Sequence, residues 1–213
     1  MNVTGTLRIL VLISGIAFSS LRAGCQETLS VPGSGNGQGT EADERLRVAL
    51  EQEPWTHRAR TEIESAAKNG NPGAKLALAG LYSQGREVSR DPSRASALIR
   101  EAAEAGLPSA CYLIGAKFLD DDSAPPGTAI VGDYQSASEW LEKAASKGHV
   151  EAAHQLGELY YYGKLSYDFH LAAKWLRMAA EAGDVKAAAL LPYLYFCNHP
   201  GFARDRAEGL RWM

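Results

Sequence analysis

A phrase of 16 residues recurs three times along the chain. It reads DPSRASALIREAAEAG from Asp91, DYQSASEWLEKAASKG from Asp133 and DFHLAAKWLRMAAEAG from Asp168, and a shorter copy, DRAEGLRWM, begins at Asp205. Equivalent positions lie 35 to 42 residues apart. This period is typical of stacked repeats, in which each unit buries its apolar face against its neighbours. The sequence therefore predicts a repeat array that binds through a long surface.

The repeat from His149 to Gly183 shows how one unit is expected to fold. Each half carries apolar residues at the spacing of one helix face. These residues are Ala152, Leu156, Leu159 and Tyr160 in the first half, and Ala172, Trp175, Leu176, Ala179 and Ala180 in the second. Gly163 can take the left-handed conformation that ends a helix, and Asp168 can cap the next helix. We therefore expect an antiparallel pair of helices joined by short turns.

A few positions that recur in every unit are predicted to form the core. The helix-ending glycines are Gly70, Gly106, Gly148 and Gly183; the first-helix aromatics are Tyr82, Phe118, Tyr160 and Tyr195; the second-helix anchors are Leu98, Trp140, Trp175 and Trp212. Because one large anchor packs over small residues, truncation of such a tryptophan should cost about 3–5 kcal/mol. Pro192 replaces the small residue of the first helix and predicts a kink there.

The combined spacings resemble a known repeat family. The pattern AA-x-x-G, L-G-x-x-Y-x-x-G and D-x-x-x-A-x-x-W-x-x-x-AA-x-x-G is complete from Ala144 to Gly183. It resembles the Sel1-like repeat, a relative of the tetratricopeptide repeat, and the resemblance covers about Ala66 to Met213. It implies an all-α fold, a right-handed α/α superhelix (solenoid) of antiparallel helix pairs. It also implies an adaptor role in bacterial envelope or signalling assemblies.

The N-terminal segment favours export. An apolar run of 10 residues, from Ile9 to Phe18, precedes small residues and resembles a secretory signal peptide. The following stretch is rich in glycine and serine and has little to bury, which is typical of a flexible linker. Ala23-Gly24-Cys25 resembles the end of a bacterial lipobox, although Arg22 stands where that pattern has an aliphatic residue. Acylation of Cys25 and ordinary cleavage near Ala23 therefore both stay open.

These observations divide the chain into seven predicted segments. They are a signal peptide (1–24), a linker (25–40), a degenerate leading unit (41–70), repeats at 71–106, 107–148 and 149–183, and a partial repeat (184–213). The leading unit carries Glu62 where the aromatic anchor belongs. The second repeat contains a longer loop, whose extra length costs little in closure entropy.

The first helices carry a stripe that varies while the core positions recur. In repeat superhelices of this type the first helices line the concave surface, so this stripe is the candidate site for a protein or peptide partner. The candidate partner-binding residues are Tyr112, His154, Glu158, Tyr161, Tyr193 and Phe196. Aromatic residues are enriched at binding hot spots. The alternative is that the stripe drifts on an unconstrained face, or that its aromatics fold into neighbouring core.

The sequence offers no catalytic set and no predicted cofactor or metal site. Glu151 and His154 have the spacing of a helical metal-ligand pair but lack the further ligands that such a site needs. The three cysteines are too scattered for a disulfide framework. A net charge of −3 gives no general attraction to nucleic acid. We therefore expect a binding module, with an envelope lipoprotein or a cell-envelope hydrolase as alternatives. A related subgroup linked to β-lactams has a cysteine pair in each repeat, which this chain lacks.

Overall fold

The structure, a computed structural model, describes residues 57–85, 87–119 and 133–213. The predicted signal peptide, the linker with Cys25 and the start of the leading unit lie outside the described residues. The same holds for most of the longer loop in the second repeat.

The described regular elements are helices, apart from one isolated bridge between His199 and Phe202. They are α1 (His57–Lys68), α2 (Pro72–Gln84), α3 (Pro92–Glu104), α4 (Pro108–Leu119), α5 (Tyr134–Ala145), α6 (Val150–Tyr161), α7 (Phe169–Glu181), α8 (Val185–Phe196) and α9 (Arg206–Arg211). The all-α prediction is confirmed. None of these helices has the length and apolarity needed to cross a membrane.

The chain forms two compact units, which divide between Cys111 and Tyr112 within α4. In the first unit α1 packs on α2, and α2 on α3. Ile63 of α1 is completely buried in this core. It lies next to Glu62, so a neighbouring residue supplies the anchor that the sequence pattern lacked at position 62.

In the second unit each helix packs on the next, from α5 to α9, and α6 also touches α8. Completely buried leucines fill the space between them. They are Leu141, Leu156, Leu176, Leu191 and Leu194. The second unit therefore consists of helix pairs in which the first helices of successive repeats, α6 and α8, lie side by side. Pro192 lies inside α8, which continues four residues beyond it.

Capping residues explain why the helices begin and end where they do. Asp168 Oδ1 accepts from the backbone N–H groups of His170 and Leu171, at 3.0 Å each. Asp184 Oδ1 accepts from the N–H of Ala187 at 2.9 Å. Each bond satisfies a donor that the first turn of a helix leaves free. The four predicted helix-ending glycines all have positive φ, as in the left-handed ends of helices.

Glycines in the first helices permit a close approach of the second helices. A Cβ added at Gly157 of α6 would lie 2.5 Å from Cγ of Leu176 in α7. A Cβ at Gly115 of α4 would lie 2.8 Å from Cγ of Leu141 in α5. Each leucine therefore fits into a notch that only a glycine leaves open, and the second unit repeats this contact in successive helix pairs.

The predicted anchors differ in burial. Tyr82 and Tyr195 are buried, as is Trp175, whereas Tyr160, Leu98, Trp140 and Trp212 are only half-buried. Phe118 is 38% exposed, so the prediction of a core aromatic is wrong at that position. The repeat pattern thus identifies equivalent positions, while the number of neighbours at each one decides how deeply it is buried.

Candidate partner-binding surface

The helices α6 and α8 carry most of the stripe that the sequence marks as the candidate partner-binding site. The two helices are joined at their N-terminal ends by His154, whose Nδ1 lies 3.3 Å from Oδ2 of Asp184. Asp184 is also the residue that caps α8. One contact thus connects the first helix of one repeat to the start of the first helix of the next. We call the outer faces of α6 and α8 the α6–α8 surface.

An exposed apolar row runs along α8. Val185 is 79% exposed and Tyr193 is 63% exposed, and Ala189 between them is also exposed. These residues are spaced by four and therefore lie on one face of the helix. Single exposed apolar side chains are ordinary, whereas here three of them share one face of the same helix.

The matching face of α6 is polar and acidic. It carries Glu151, His154 and Glu158, and the side chains of the two glutamates are 66% and 40% exposed. His154 is itself largely covered, with Nε2 3.6 Å from Oε1 of Glu158. The pKa of His154 is raised, chiefly by its interaction with Glu158 and further by Asp184, while burial and Lys186 oppose the shift.

Aromatic rings cluster where α6 ends. The Tyr161 ring lies 5.1 Å from that of Tyr162, 6.3 Å from Phe169 and 5.9 Å from His199, in edge-on arrangements. Burial raises the pKa of the Tyr161 hydroxyl, with further contributions from Cys197, Tyr162 and Tyr193. Tyr161 is therefore held among rings from α7 and from the segments that follow α6 and α8. Tyr162 is 53% exposed at the edge of this cluster.

The structure brings five of the six predicted partner-binding residues onto or beside the α6–α8 surface. Glu158 and Tyr193 are exposed enough to meet a partner. His154 and Tyr161 are half-buried and mainly hold neighbouring groups in place. Phe196 is also half-buried, because its ring packs against Gly209, where an added Cβ would lie 2.7 Å from Cε1.

Tyr112 is the exception, because the expectation that it faces outward is wrong. Its side chain is buried, with 5% of the residue exposed. The ring stacks on the imidazole of His149, with centroids 4.5 Å apart and planes 20° apart. The hydroxyl oxygen accepts from Nε2 of Gln155 at 3.4 Å. The side chain at this position of α4 is therefore a packing residue between repeats.

Sequence reasoning missed Val185 and Tyr162 as surface residues. Val185 precedes Ala189 and Tyr193 at the same spacing of four, so extending the predicted stripe by one turn finds it. Tyr162 follows Tyr161 directly and lies where the helix ends. Within residues 57–85, 87–119 and 133–213, no three His, Cys, Asp or Glu side chains are grouped to hold a metal ion.

The contributions of two histidines of this region to folding stability should change with pH in opposite directions. The folded-state pKa of His154 is raised, so its stabilising contribution is complete below about pH 6.5 and is lost as the pH rises through the higher folded-state value. Burial lowers the pKa of His149, whose Nδ1 accepts from the N–H of Ala152. Its contribution is present above about pH 6.5 and is lost as the pH falls through its lower folded-state value.

We therefore expect His154→Asn to lower the free energy of unfolding more at pH 5.5 than at pH 8.5. His149→Asn is the matched control, because asparagine also caps helices but carries no titrating group. This variant should lose less stability than the wild type when the pH falls from 7 to 5. Urea denaturation followed by tryptophan fluorescence measures both differences. Equal losses for His154→Asn at the two pH values would contradict the assigned ion pairs.

The fold and this surface define a class, the helical repeat proteins. The sequence profile of the Sel1 repeat matches residues 72–107, 108–149 and 150–184. The chain belongs to the Sel1 repeat family, whose members commonly act as scaffolds for protein–protein interactions. Among curated protein sequences the comparison found no match.

Solved structures show the same fold. A Sel1 repeat protein from Oxalobacter formigenes is 28% identical, with a TM-score of 0.56, and the match covers 62% of this chain and 96% of that one. The protective antigen c5321 of uropathogenic Escherichia coli is 25% identical, with a TM-score of 0.63; the match covers 90% of this chain and 39% of that protein. The immunity protein Pa5087 of Pseudomonas aeruginosa is 25% identical, with a TM-score of 0.51, over 80% of this chain and 62% of that one.

Proposed function

We propose that this protein is an exported, non-enzymatic scaffold that holds a protein or peptide on the α6–α8 surface, the side that the repeat family is expected to use as its concave face. The observation that carries the proposal is the exposed row of Val185, Ala189 and Tyr193 on α8. Burying such a row against a partner removes apolar area from water, and this term drives most protein association.

The arrangement of the row supports binding over chance exposure. Tyr193 combines a large apolar ring with a hydroxyl, and tyrosine is enriched among residues that dominate binding energy. Tyr193 lies near Tyr161, whose ring already packs edge-on against Phe169 and His199, so Tyr161 has little freedom to lose when a partner docks. Preorganisation of this kind raises affinity by lowering the ordering cost.

Site-specific crosslinking in intact cells tests the surface. A photo-reactive phenylalanine analogue placed at Tyr193 should give a discrete crosslinked product, which mass spectrometry then identifies. The matched control places the analogue at Lys174, an exposed residue of α7. Products from position 174 without any from position 193 would show that a partner uses another face.

Once that partner is purified, Tyr193→Ala should weaken its binding by about tenfold or more, the range for a hot-spot tyrosine. The free energy of unfolding should change by less than about 0.5 kcal/mol, because substitutions at exposed positions rarely cost more. Titration calorimetry and urea denaturation measure the two quantities. A large loss of stability would identify Tyr193 as a packing residue instead.

We also propose that Cys25 is acylated after export and that the linker holds the repeats near a membrane. This rests on the sequence around Ala23-Gly24-Cys25, since these residues lie outside those that the structure describes. Labelled palmitate should be incorporated into the wild type and not into Cys25→Ser. Incorporation that persists in Cys25→Ser would rule out the anchor and leave a soluble exported scaffold.

A further inference from the structure

We infer that the partner of the α6–α8 surface presents a cationic segment that also carries an apolar side chain. An arginine or lysine of this segment lies against an exposed tyrosine ring, with its charge facing Glu158. This inference rests on the proposed function and specifies the chemistry of the partner.

The charges of the two helices favour a cation. The charged residues of α6 are Glu151 and Glu158, and Asp184 stands at the start of α8. Lys186 is the one lysine or arginine on either helix. Asp184 is largely covered and pairs with His154, so the carboxylates open to a partner are those of Glu151 and Glu158. Complementary charge on a partner raises its association rate and its selectivity.

The aromatic rings give a second and independent reason. Elsewhere in the protein, lysine side chains lie over aromatic rings in cation–π contacts: Nζ of Lys143 is 4.0 Å from the ring centroid of Trp140, and Nζ of Lys174 is 4.3 Å from that of Trp175. Among the residues that the structure describes, no lysine or arginine lies over Tyr162 or Tyr193. Both rings are more than half exposed. They are therefore open to a cation that the partner supplies.

Two second helices of the second unit, α7 and α9, carry more basic than acidic residues. Lys174 and Arg177 are on α7, and Arg206 and Arg211 are on α9. α6 carries two glutamates and no lysine or arginine, whereas α7 and α9 each carry two basic residues and one glutamate. This difference favours approach of a cationic segment from the side of α6, since the like charges on α7 and α9 repel it.

The apolar row sets the spacing within the segment. Val185 and Tyr193 are eight residues apart on α8, which corresponds to about 12 Å along the helix. An extended peptide covers this distance in about four residues. We therefore expect one apolar residue about four positions from the cationic one, so that the first covers Val185 and Ala189 while the second reaches Tyr193.

A set of synthetic peptides tests this chemistry on the full chain. The probe is a ten-residue fluorescein-labelled peptide of glycine and serine with two leucines, each four residues from an arginine. Two matched peptides replace both arginines by citrulline, which keeps the shape without the charge, or by glutamate. Fluorescence anisotropy should show the arginine peptide binding about five- to tenfold more tightly than the citrulline peptide, as expected for exposed cation–π and ion-pair contacts.

Protein variants locate the effect. Glu158→Gln should reduce the preference for arginine over citrulline, because it removes the carboxylate while preserving the shape of the side chain. Glu139→Gln on α5 is the matched control and should leave the preference unchanged, since Glu139 is exposed on a second helix. Raising the salt concentration from 50 to 500 mM should weaken the arginine peptide more than the citrulline peptide.

Three results would overturn the inference: equal binding of the arginine and glutamate peptides, no binding of any peptide, or equal effects of Glu158→Gln and Glu139→Gln. The proposed function fails separately, if crosslinking at Tyr193 captures nothing. A crosslinked partner that lacks basic residues at its contact site would keep the scaffold function and overturn only the cationic partner.

Discussion

Gly157→Ala is expected to destabilise the second unit by about 1–3 kcal/mol, the usual cost of inserting a methyl group into a filled core. In an open helix the same change stabilises by up to about 1 kcal/mol, because alanine forms helices better than glycine. At position 157 the steric clash outweighs this gain, so the substitution is expected to lower the free energy of unfolding. The added Cβ would lie 2.5 Å from Cγ and 2.7 Å from Cδ2 of Leu176, which is completely buried, and 3.2 Å from the backbone N of the same residue.

A double-mutant cycle tests this contact. Leu176→Ala alone should cost about 2–5 kcal/mol by leaving a cavity. In that background Gly157→Ala should be close to neutral, because its methyl group then enters the space that the leucine left. Three of the four tryptophans, Trp140, Trp175 and Trp212, belong to this unit, so urea denaturation monitored by tryptophan fluorescence reports mainly on it. Additive costs in the double variant would show that the two residues do not share a notch.

Local signals made most of the fold predictable. A glycine with positive φ ends a helix because it alone avoids a Cβ clash there, and Asp168 begins one because its carboxylate satisfies free N–H groups. Both effects depend on a few neighbouring residues, so the helix ends can be predicted from the sequence alone. The buried faces of the helices are also predictable from local sequence, since Leu156 and Leu176 fall on apolar stripes with a period of 3.6 residues.

The candidate site was less predictable because exposure depends on residues distant in sequence. Tyr112 belongs to the same stripe as His154, yet His149 covers it from 37 positions further along the chain. No spacing within α4 carries that information. Tyr193 occupies the position of Glu158 in the next repeat and stays exposed. Comparing repeats therefore identifies a variable stripe, and the contacts between repeats decide which of its members remain available to a partner.

Trp175→Ala is expected to cost about 3–5 kcal/mol, the range for a large buried aromatic side chain. Trp175 is 6% exposed and lies beside Leu176, so its removal leaves a cavity that the helix pair cannot close easily. Trp140 occupies the same position one repeat earlier but is only half-buried, with Lys143 over its ring. Its truncation should cost less, about 1–2 kcal/mol, because part of its surface is already in water.

The comparison of the two variants separates repeat position from burial. Both tryptophans follow the same motif, so a cost set by the motif alone would be equal for Trp140→Ala and Trp175→Ala. Circular dichroism during urea denaturation measures both free energies without depending on the tryptophan that each variant lacks. A Trp140→Ala variant as unstable as Trp175→Ala would contradict the assignment of stability to burial. A larger loss of stability for Trp175→Ala than for Trp140→Ala would instead show that the contribution of each tryptophan depends on how deeply its side chain is buried.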